Sequence, residues 1–94
     1  MNKAVNTNQE GFEVSCFPAI ANKFTKIQIT SDRYSETTIT VFNLLGQVIQ
    51  KRMIQLDLGE NTEFFNTTDW TNGTYIVNIE SLSGNRSTKF LVNH

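Results

Sequence analysis

Cysteine, proline and histidine are almost absent from this sequence, since each occurs once. With Cys16 as the only cysteine, no disulfide can form within the chain, so packing alone must stabilise the fold. Zinc sites need several Cys and His side chains at paired spacings, and these are missing. A lone Cys in a strand-like segment is usually a small buried apolar side chain. We therefore expect no metal, no other cofactor and no reactive thiol.

A recognisable catalytic set of residues is missing as well. His94, the only histidine, is the last residue, and the nine Asp and Glu residues are scattered. A hydrolase needs a nucleophile with a base in reach, or two carboxylates placed across the scissile bond. We expect that the protein is not an enzyme. Asp57, Glu60 and Asn61 offer oxygens that calcium could use, but such a stretch is more often a polar turn.

Neither a large net charge nor a long apolar run is present. The formal charge is -1, so nothing attracts a polyanion and nucleic-acid binding is not expected. No stretch approaches the roughly 18 consecutive apolar residues of a membrane-spanning helix. Residues 1–11 lack the apolar centre of a secretory signal peptide, and we interpret them as a linker or a cloning remnant. Residues 12–94 form one domain, because a chain this short supports a single core.

The sequence is rich in short strand patterns separated by turn residues. Alternating apolar residues predict a first strand from Phe12 to Cys16, which Pro18 ends because proline has no N–H to donate. Further strands are predicted in TKIQIT, ETTITVFN, NTEFFN and STKFLV, and the clearest strand follows Gly73. The core-facing residues of these patterns are Ile27 and Ile29, Ile39 and Val41, and Tyr75, Val77 and Ile79.

The segment that follows a predicted hairpin turn at Gly46 is less regular. Its apolar residues fall at both odd and even positions, so they cannot all lie on one face of a regular strand: Val48, Ile49, Met53, Ile54 and Leu56. A β-bulge explains this pattern, because one extra residue moves every later side chain to the other face. A helix is the less favoured alternative. About seven antiparallel strands in an all-β chain predict an Ig-like Greek-key β-sandwich.

Aromatic residues leave a second interpretation open. Carbohydrate-binding sandwiches usually display exposed aromatic rings in a row, and Trp70, Phe64 and Phe65 are candidates for such a row. Trp70 precedes a tight turn, however, and is more simply explained as closing one end of the core. A non-catalytic module that binds carbohydrate or a surface protein is therefore the alternative function, and a spacer domain without a ligand is a third.

Four short segments, in this order, resemble one known family. They are Phe17-Pro18-Ala19-Ile20-Ala21-Asn22, Phe42-Asn43-Leu44-Leu45-Gly46-Gln47, Trp70-Thr71-Asn72-Gly73-Thr74-Tyr75 and Lys89-Phe90-Leu91-Val92. Together they resemble the type A C-terminal sorting domains of cargo proteins of the type IX (Por) secretion system of Bacteroidetes. The resemblance covers residues 12–92. It assigns the sorting motif to Phe17, Pro18, Ala21, Asn22, Gly46, Gly73, Tyr75, Lys89, Phe90, Leu91 and Val92.

The resemblance implies a function in which the domain itself catalyses no reaction. Such domains follow an N-terminal cargo domain in the same polypeptide, and the type IX translocon recognises them after a Sec signal has brought the cargo to the periplasm. A sortase-like peptidase commonly removes them outside, and the cargo is then secreted or held at the outer-membrane surface. The last strand is expected to be part of what is recognised. Its exposed edge also makes an edge-strand dimer an option.

Overall fold

The chain folds into eight β-strands in a computed structural model that describes residues 12–82 and 84–94. Within these residues there is no helix and no segment that could cross a membrane as a helix. The strands are β1 (Phe12–Phe17), β2 (Ile20–Ala21), β3 (Phe24–Ser31), β4 (Ser35–Asn43), β5 (Val48–Leu56), β6 (Gly59–Asn66), β7 (Gly73–Ser81) and β8 (Gly84–Val92). The predicted linker, residues 1–11, lies outside the described residues.

Two sheets form the sandwich. The smaller sheet has the order β1-β3-β6 and the larger sheet has the order β2-β8-β7-β4-β5. All pairings are antiparallel except that of β2 with β8, where Ile20 pairs with Leu91 and Ala21 with Val92. The predicted all-β sandwich is confirmed, with seven long strands and a two-residue parallel strand, β2, that the sequence pattern did not predict.

The core lies between the two sheets and follows the predicted alternation. Ile27 and Ile29 of β3 are fully buried, as are Ile39 and Val41 of β4 and Val77 and Ile79 of β7. Tyr75 is buried beside them. Other buried apolar residues are Cys16, Ala21, Leu56, Phe65, Phe90 and Val92. Complete burial of such side chains stabilises the fold by roughly 1.5–3 kcal/mol each.

The irregular segment after Gly46 is strand β5, so the alternative of a helix is wrong. Val41 pairs with Gln50 while Phe42 pairs with Val48, which leaves Ile49 as the extra residue of a bulge. The predicted bulge is therefore present, but it explains only the start of the strand. Met53 breaks the parity further along because it is 79% exposed on the outer face of this edge strand.

Two predicted boundaries can be compared with the structure. β1 ends at Phe17, before a cis peptide bond to Pro18, as the missing N–H of proline predicts. The strand predicted in NTEFFN begins earlier, at Gly59, so the DLGEN turn is shorter than expected. Asn61 stabilises this turn, because its amide donates to Asp57 O at 2.9 Å and its Oδ1 accepts from Asp57 N at 2.9 Å. The stretch is thus held by hydrogen bonds between the Asn61 side chain and the Asp57 backbone.

Candidate functional site

All four motif segments meet at one end of the larger sheet. Gly73 pairs with Val92, Ile20 pairs with Leu91, and Asn43 pairs with Tyr75. The last strand, the start of β7, the end of β4 and the whole of β2 are therefore neighbours. We call this region the motif end, and it comprises residues 17–22, 43–47, 70–75 and 89–94. The far end of the sandwich comprises residues 31–35, 56–59 and 81–82 with Gly84.

The first and last motif segments are joined through their backbones. Leu91 N donates to Ala19 O at 2.9 Å, and Asn93 N donates to Ala21 O at 2.8 Å. These bonds form because the chain leaves the smaller sheet after Phe17 and crosses to the edge of β8. The motif segment FPAIAN therefore contains a short edge strand, β2, that pairs only with Leu91 and Val92 of β8.

The terminal residue His94 links the first and third segments. Its Nδ1 lies 3.0 Å from Asn22 Oδ1, and its Nε2 lies 2.7 Å from Trp70 O. Its backbone N donates to Asn72 Oδ1 at 2.9 Å. These contacts join residues that are 72, 24 and 22 positions apart in the chain. The C-terminal segment is thus fixed in place across the motif end.

Three aromatic motif residues pack against one another beneath this surface. Tyr75 stacks on Phe90 with ring centroids 5.7 Å apart, and Trp70 lies 5.1 Å from Tyr75 and 6.1 Å from Phe90. Tyr75 OH donates to Thr71 O at 2.6 Å. A tyrosine near the start of this strand that bonds to the backbone a few residues upstream is the tyrosine corner of Ig-like sandwiches. Trp70 closes the end of the core, as predicted.

Asn43 organises the turn between β4 and β5. Its Oδ1 accepts hydrogen bonds from Leu45 N and Gln47 N, both at 3.0 Å, and its Nδ2 donates to Gln47 Oε1 at 2.7 Å. Gly46 has a φ of 83°, which L-residues rarely adopt, although nothing lies within 4 Å of where a Cβ would stand. An acceptor oxygen and a glycine three residues later are therefore the requirements of this turn. The predicted sorting-motif residues include Gly46 but not Asn43, although the motif segment contains both.

The predicted motif residues fall into two groups by exposure. Ala21, Tyr75, Phe90 and Val92 are buried, so substituting them would alter the core. Phe17, Pro18, Asn22, Gly46, Lys89 and Leu91 are exposed, and Gly73 is half-buried in the backbone ladder. Only the exposed group can touch a partner while the domain stays folded.

The outer face of the larger sheet is apolar at the motif end. Ile20 and Leu91 pair directly, and the next row crosses four strands, from Lys89 of β8 through Ile76 and Phe42 to Val48 of β5. Ile20 is 62% exposed and Val48 is 57% exposed. Ile20 was not among the predicted site residues, because its exposure depends on the pairing of β2 with β8. Contiguous exposed apolar surface of this kind is typical of interaction sites.

The outer face of the smaller sheet carries a phenylalanine cluster, which consists of Phe17, Phe24 and Phe64 around Lys26. Phe17 and Phe64 both pair with Lys26, from opposite sides. Phe24 meets Phe64 edge to face with ring centroids 5.7 Å apart, and Lys26 Nζ lies 6.0 Å from the Phe64 ring centre. Phe64, Phe65 and Trp70 therefore do not form the exposed aromatic row that was considered for the alternative function. Phe65 points into the core, and Trp70 packs against it.

Charge is distributed unequally between the two ends. Around the motif end lie Lys23, Lys26 and Lys89, with Asp69 as the acidic residue. Six of the nine carboxylates lie towards the far end: Glu13, Asp32, Glu36, Asp57, Glu60 and Glu80. The motif end is thus basic and apolar, and a partner that binds it should be apolar with carboxylates at its rim.

Cys16 and the possible metal ligands form no visible reaction centre. Cys16 is buried on β1, and burial raises the pKa of its thiol from 9.0 to about 11, although its hydrogen bond with Thr88 lowers the pKa in part. The thiol is therefore protonated and poorly nucleophilic near neutral pH. Among residues 12–82 and 84–94 no three His, Cys, Asp or Glu side chains cluster as metal ligands.

Comparison with known proteins gives one result that bears on identity. No curated protein matches the chain at a significant level. A family model, the secretion system C-terminal sorting domain, matches residues 15–93 and so includes all four motif segments at the motif end. The chain belongs to this family, the C-terminal sorting domains of the type IX (Por) secretion system.

Proposed function

We propose that this domain carries an N-terminal cargo domain of the same polypeptide across the outer membrane, and that the translocon binds it at the motif end. The family is that of type IX sorting signals, which act on a larger cargo polypeptide. The observation that carries the proposal is the convergence of four segments, distant in sequence, on one basic and apolar surface. The domain takes part in export as a ligand and performs no catalysis.

The exposed motif residues are the proposed contacts. Lys89 and Leu91 lie on the outer face of β8, and Ile20 lies beside Leu91. Apolar contact supplies affinity, while the ammonium of Lys89 selects a partner surface that carries a carboxylate. The buried motif residues act indirectly, because Tyr75 and Phe90 hold β7 and β8 in the register that presents these side chains.

The direction of β1 supports a separation between the cargo and the proposed recognition surface. β1 begins at Phe12 near the far end and runs towards the motif end, and the molecule is 45 Å long. Chain that precedes β1 therefore enters at the end opposite the one proposed for recognition. After export, we propose that a sortase-like peptidase cuts the chain before β1, which leaves the cargo secreted or anchored at the cell surface.

The test is export of a fluorescent reporter with a Sec signal at its front and residues 1–94 at its back. It is expressed in a type IX-competent host and in a translocon-deficient mutant of that host. We expect the reporter outside the cells only in the competent host, and a smaller reporter there would also reveal the cleavage. Reporter retained in the periplasm of both hosts, with the domain folded, would reject the proposed function.

Binding of a carbohydrate is the second candidate function, and the phenylalanine cluster favours it. Phe17, Phe24 and Phe64 are 51%, 46% and 60% exposed, and apolar rings beside a cation can hold a sugar face and its acidic substituent. The rings of Phe24 and Phe64 are nearly perpendicular, at 86°, so they form a notch. Glycan-array binding that disappears in Phe64→Ala but persists in Met53→Ala, at an even more exposed apolar position on β5, would support this function.

A further inference from the structure

The outer edge of β8 is covered along only part of its length. β2 pairs with Leu91 and Val92, and the N–H groups of Leu91 and Asn93 point towards it. Alternate residues of a strand direct their N–H and C=O groups to the same edge. The backbone groups of Asn85, Ser87 and Lys89 therefore point to that edge too. Within residues 12–82 and 84–94, no strand pairs with this part of it.

The open part of the edge is accessible. Asn85, Ser87 and Lys89 are all exposed. A shallow depression lies beside this edge, on the outer face across β7 and β8, and is lined by Ile76, Ser87, Thr88 and Lys89. On the core side β1 contacts β8, and the buried Cys16 of β1 forms a hydrogen bond with the Thr88 side chain. A strand placed here would extend the larger sheet in line with β2.

The chemistry of the edge determines what can occupy it. A row of N–H and C=O groups at strand spacing is matched by another extended backbone, which is how peptides add to sheet edges. β2 illustrates the side-chain pattern that fits, since Ala21 points inward and is buried while Ile20 points outward. An occupant needs a small residue on the inner side of the sheet.

Charge favours a different polypeptide over a second copy. β8 carries the exposed Lys89 and has no carboxylate. Two copies paired antiparallel about Ser87 would set Lys89 opposite Asn85 of the other copy, so its ammonium would gain no ionic partner. A strand with Asp or Glu facing Lys89 adds a favourable cross-strand pair.

We propose that Asn85–Lys89 of β8 is a docking edge that accepts an extended acidic segment of a partner protein by strand addition. That the partner belongs to the translocon rests on the proposed function, whereas the docking edge rests on the backbone geometry. Leu91 is already paired with β2 on this side, and Phe90 faces the core, so neither is available for strand addition.

The test replaces Ser87 by proline in the export reporter. Ser87→Pro removes an N–H that points outward and leaves the hydrogen bonds between β7 and β8 in place, because proline is tolerated on the open side of an edge strand. Ser87→Ala, which keeps the N–H, is the matched control. We expect about tenfold less export for Ser87→Pro than for Ser87→Ala, with equal urea midpoints. Asn85→Pro, on the same edge, serves if Ser87→Pro unfolds.

Reversing the charge of Lys89 provides an independent test of the docking edge. Lys89→Glu should lower export several-fold, and Lys51→Glu on the exposed face of β5 should not. If the unmodified reporter is exported but both proline variants and Lys89→Glu are exported equally well, the docking edge is wrong while the proposed function stands. If the unmodified reporter itself is not exported, the proposed function fails. A dimer of the isolated domain that Ser87→Pro abolishes would overturn the acidic partner in favour of a second copy.

Discussion

The two ends of this sandwich are closed in different ways. At the far end, several hydrogen bonds join residues close in sequence, such as Asn61 with Asp57, four positions away, and Arg33 N with Ser31 Oγ, two positions away, while Asn61 also donates to Ile29 O, 32 positions away. At the motif end, a local turn at Asn43 is accompanied by bonds that join residues up to 72 positions apart, such as Thr67 with Asn22, 45 positions away, and His94 with Asn22. Local turns thus occur at both ends, and the motif end is in addition closed by contacts between segments that meet only when the whole fold has formed.

This difference suggests why a sorting signal would be placed at the motif end. A surface assembled from β2, β4, β7 and β8 is present only in the folded domain, whereas a local turn also forms in partly folded chains. The motif end and the residues next to it also carry most of the exposed large apolar side chains: Phe17, Ile20, Leu44, Leu45 and Leu91 lie within it, and Phe24, Val48 and Phe64 lie beside it. The predictions below test whether the two ends share one core but differ in their exposed side chains and in the hydrogen bonds that close them.

The core should be equally important at both ends. Phe90→Ala, at the motif end, removes a buried ring that stacks on Tyr75, and we expect the free energy of unfolding to fall by about 3–5 kcal/mol. Leu56→Ala, near the far end, should cost about 2–5 kcal/mol. Urea unfolding of both variants measures this. A loss below about 1 kcal/mol for Phe90→Ala alone would mean that the motif end has little core of its own.

Alkaline pH should destabilise the fold through Cys16. Because burial raises the pKa of its thiol to about 11, the unfolded chain loses this proton first as the pH rises. The contribution of the protonated thiol is fully present below pH 9 and disappears as the pH passes about 11, with a loss of roughly 2–3 kcal/mol. Urea unfolding at pH 8 and pH 10.5 measures the change. The free energy of unfolding of Cys16→Ala should fall less between these two pH values. An equal fall in Cys16→Ala and in the unmodified domain would exclude the thiol as the cause.

The turn at the motif end should depend on one side chain. Asn43→Ala removes three side-chain hydrogen bonds of the Asn43–Gln47 turn, and we expect the free energy of unfolding to fall by about 1–2 kcal/mol. Asn43→Asp keeps the acceptor oxygen and should lose less. Asn61→Ala provides the far-end comparison, since Asn61 plays the same local role beside Asp57. Equal stability of Asn43→Ala and the unmodified domain in thermal denaturation would refute this role.

The tyrosine corner should make the smallest contribution of these four. Tyr75→Phe keeps the ring on Phe90 and removes the hydroxyl that donates to Thr71 O. We expect the free energy of unfolding to fall by about 1 kcal/mol. Chemical denaturation with matched m-values measures it. A loss as large as that of Phe90→Ala would mean that the hydroxyl contributes as much as a buried ring, which contradicts this expectation.

Much of the fold could be predicted from the sequence because it depends on local patterns. The alternation from Tyr75 to Ile79 gave the buried face of β7, and Pro18 gave the end of β1. Strand β2 could not be predicted, because Ile20 and Ala21 are a strand only through their pairing with the last residues of β8. A two-residue segment carries no alternation of its own.

The candidate site could be predicted only in outline. The motif segments identified the residues, but they do not separate Tyr75 and Phe90, which build the core, from Lys89 and Leu91, which face outward. Phe64 and Phe65 are adjacent, so only one of them can point inward, and the sequence gives no means of choosing. The phenylalanine cluster was missed because Phe17, Phe24 and Phe64 come together only across three strands.

The most direct test of the central claim compares surface variants of the two ends in the export reporter. One variant carries Lys89→Glu with Leu91→Ser at the motif end, and the other carries Glu80→Lys with Leu82→Ser at the far end. Both must keep the unfolding midpoint of the unmodified domain. We predict that the motif-end variant stays in the periplasm while the far-end variant is exported. Export of both variants, or retention of both, would contradict recognition at the motif end.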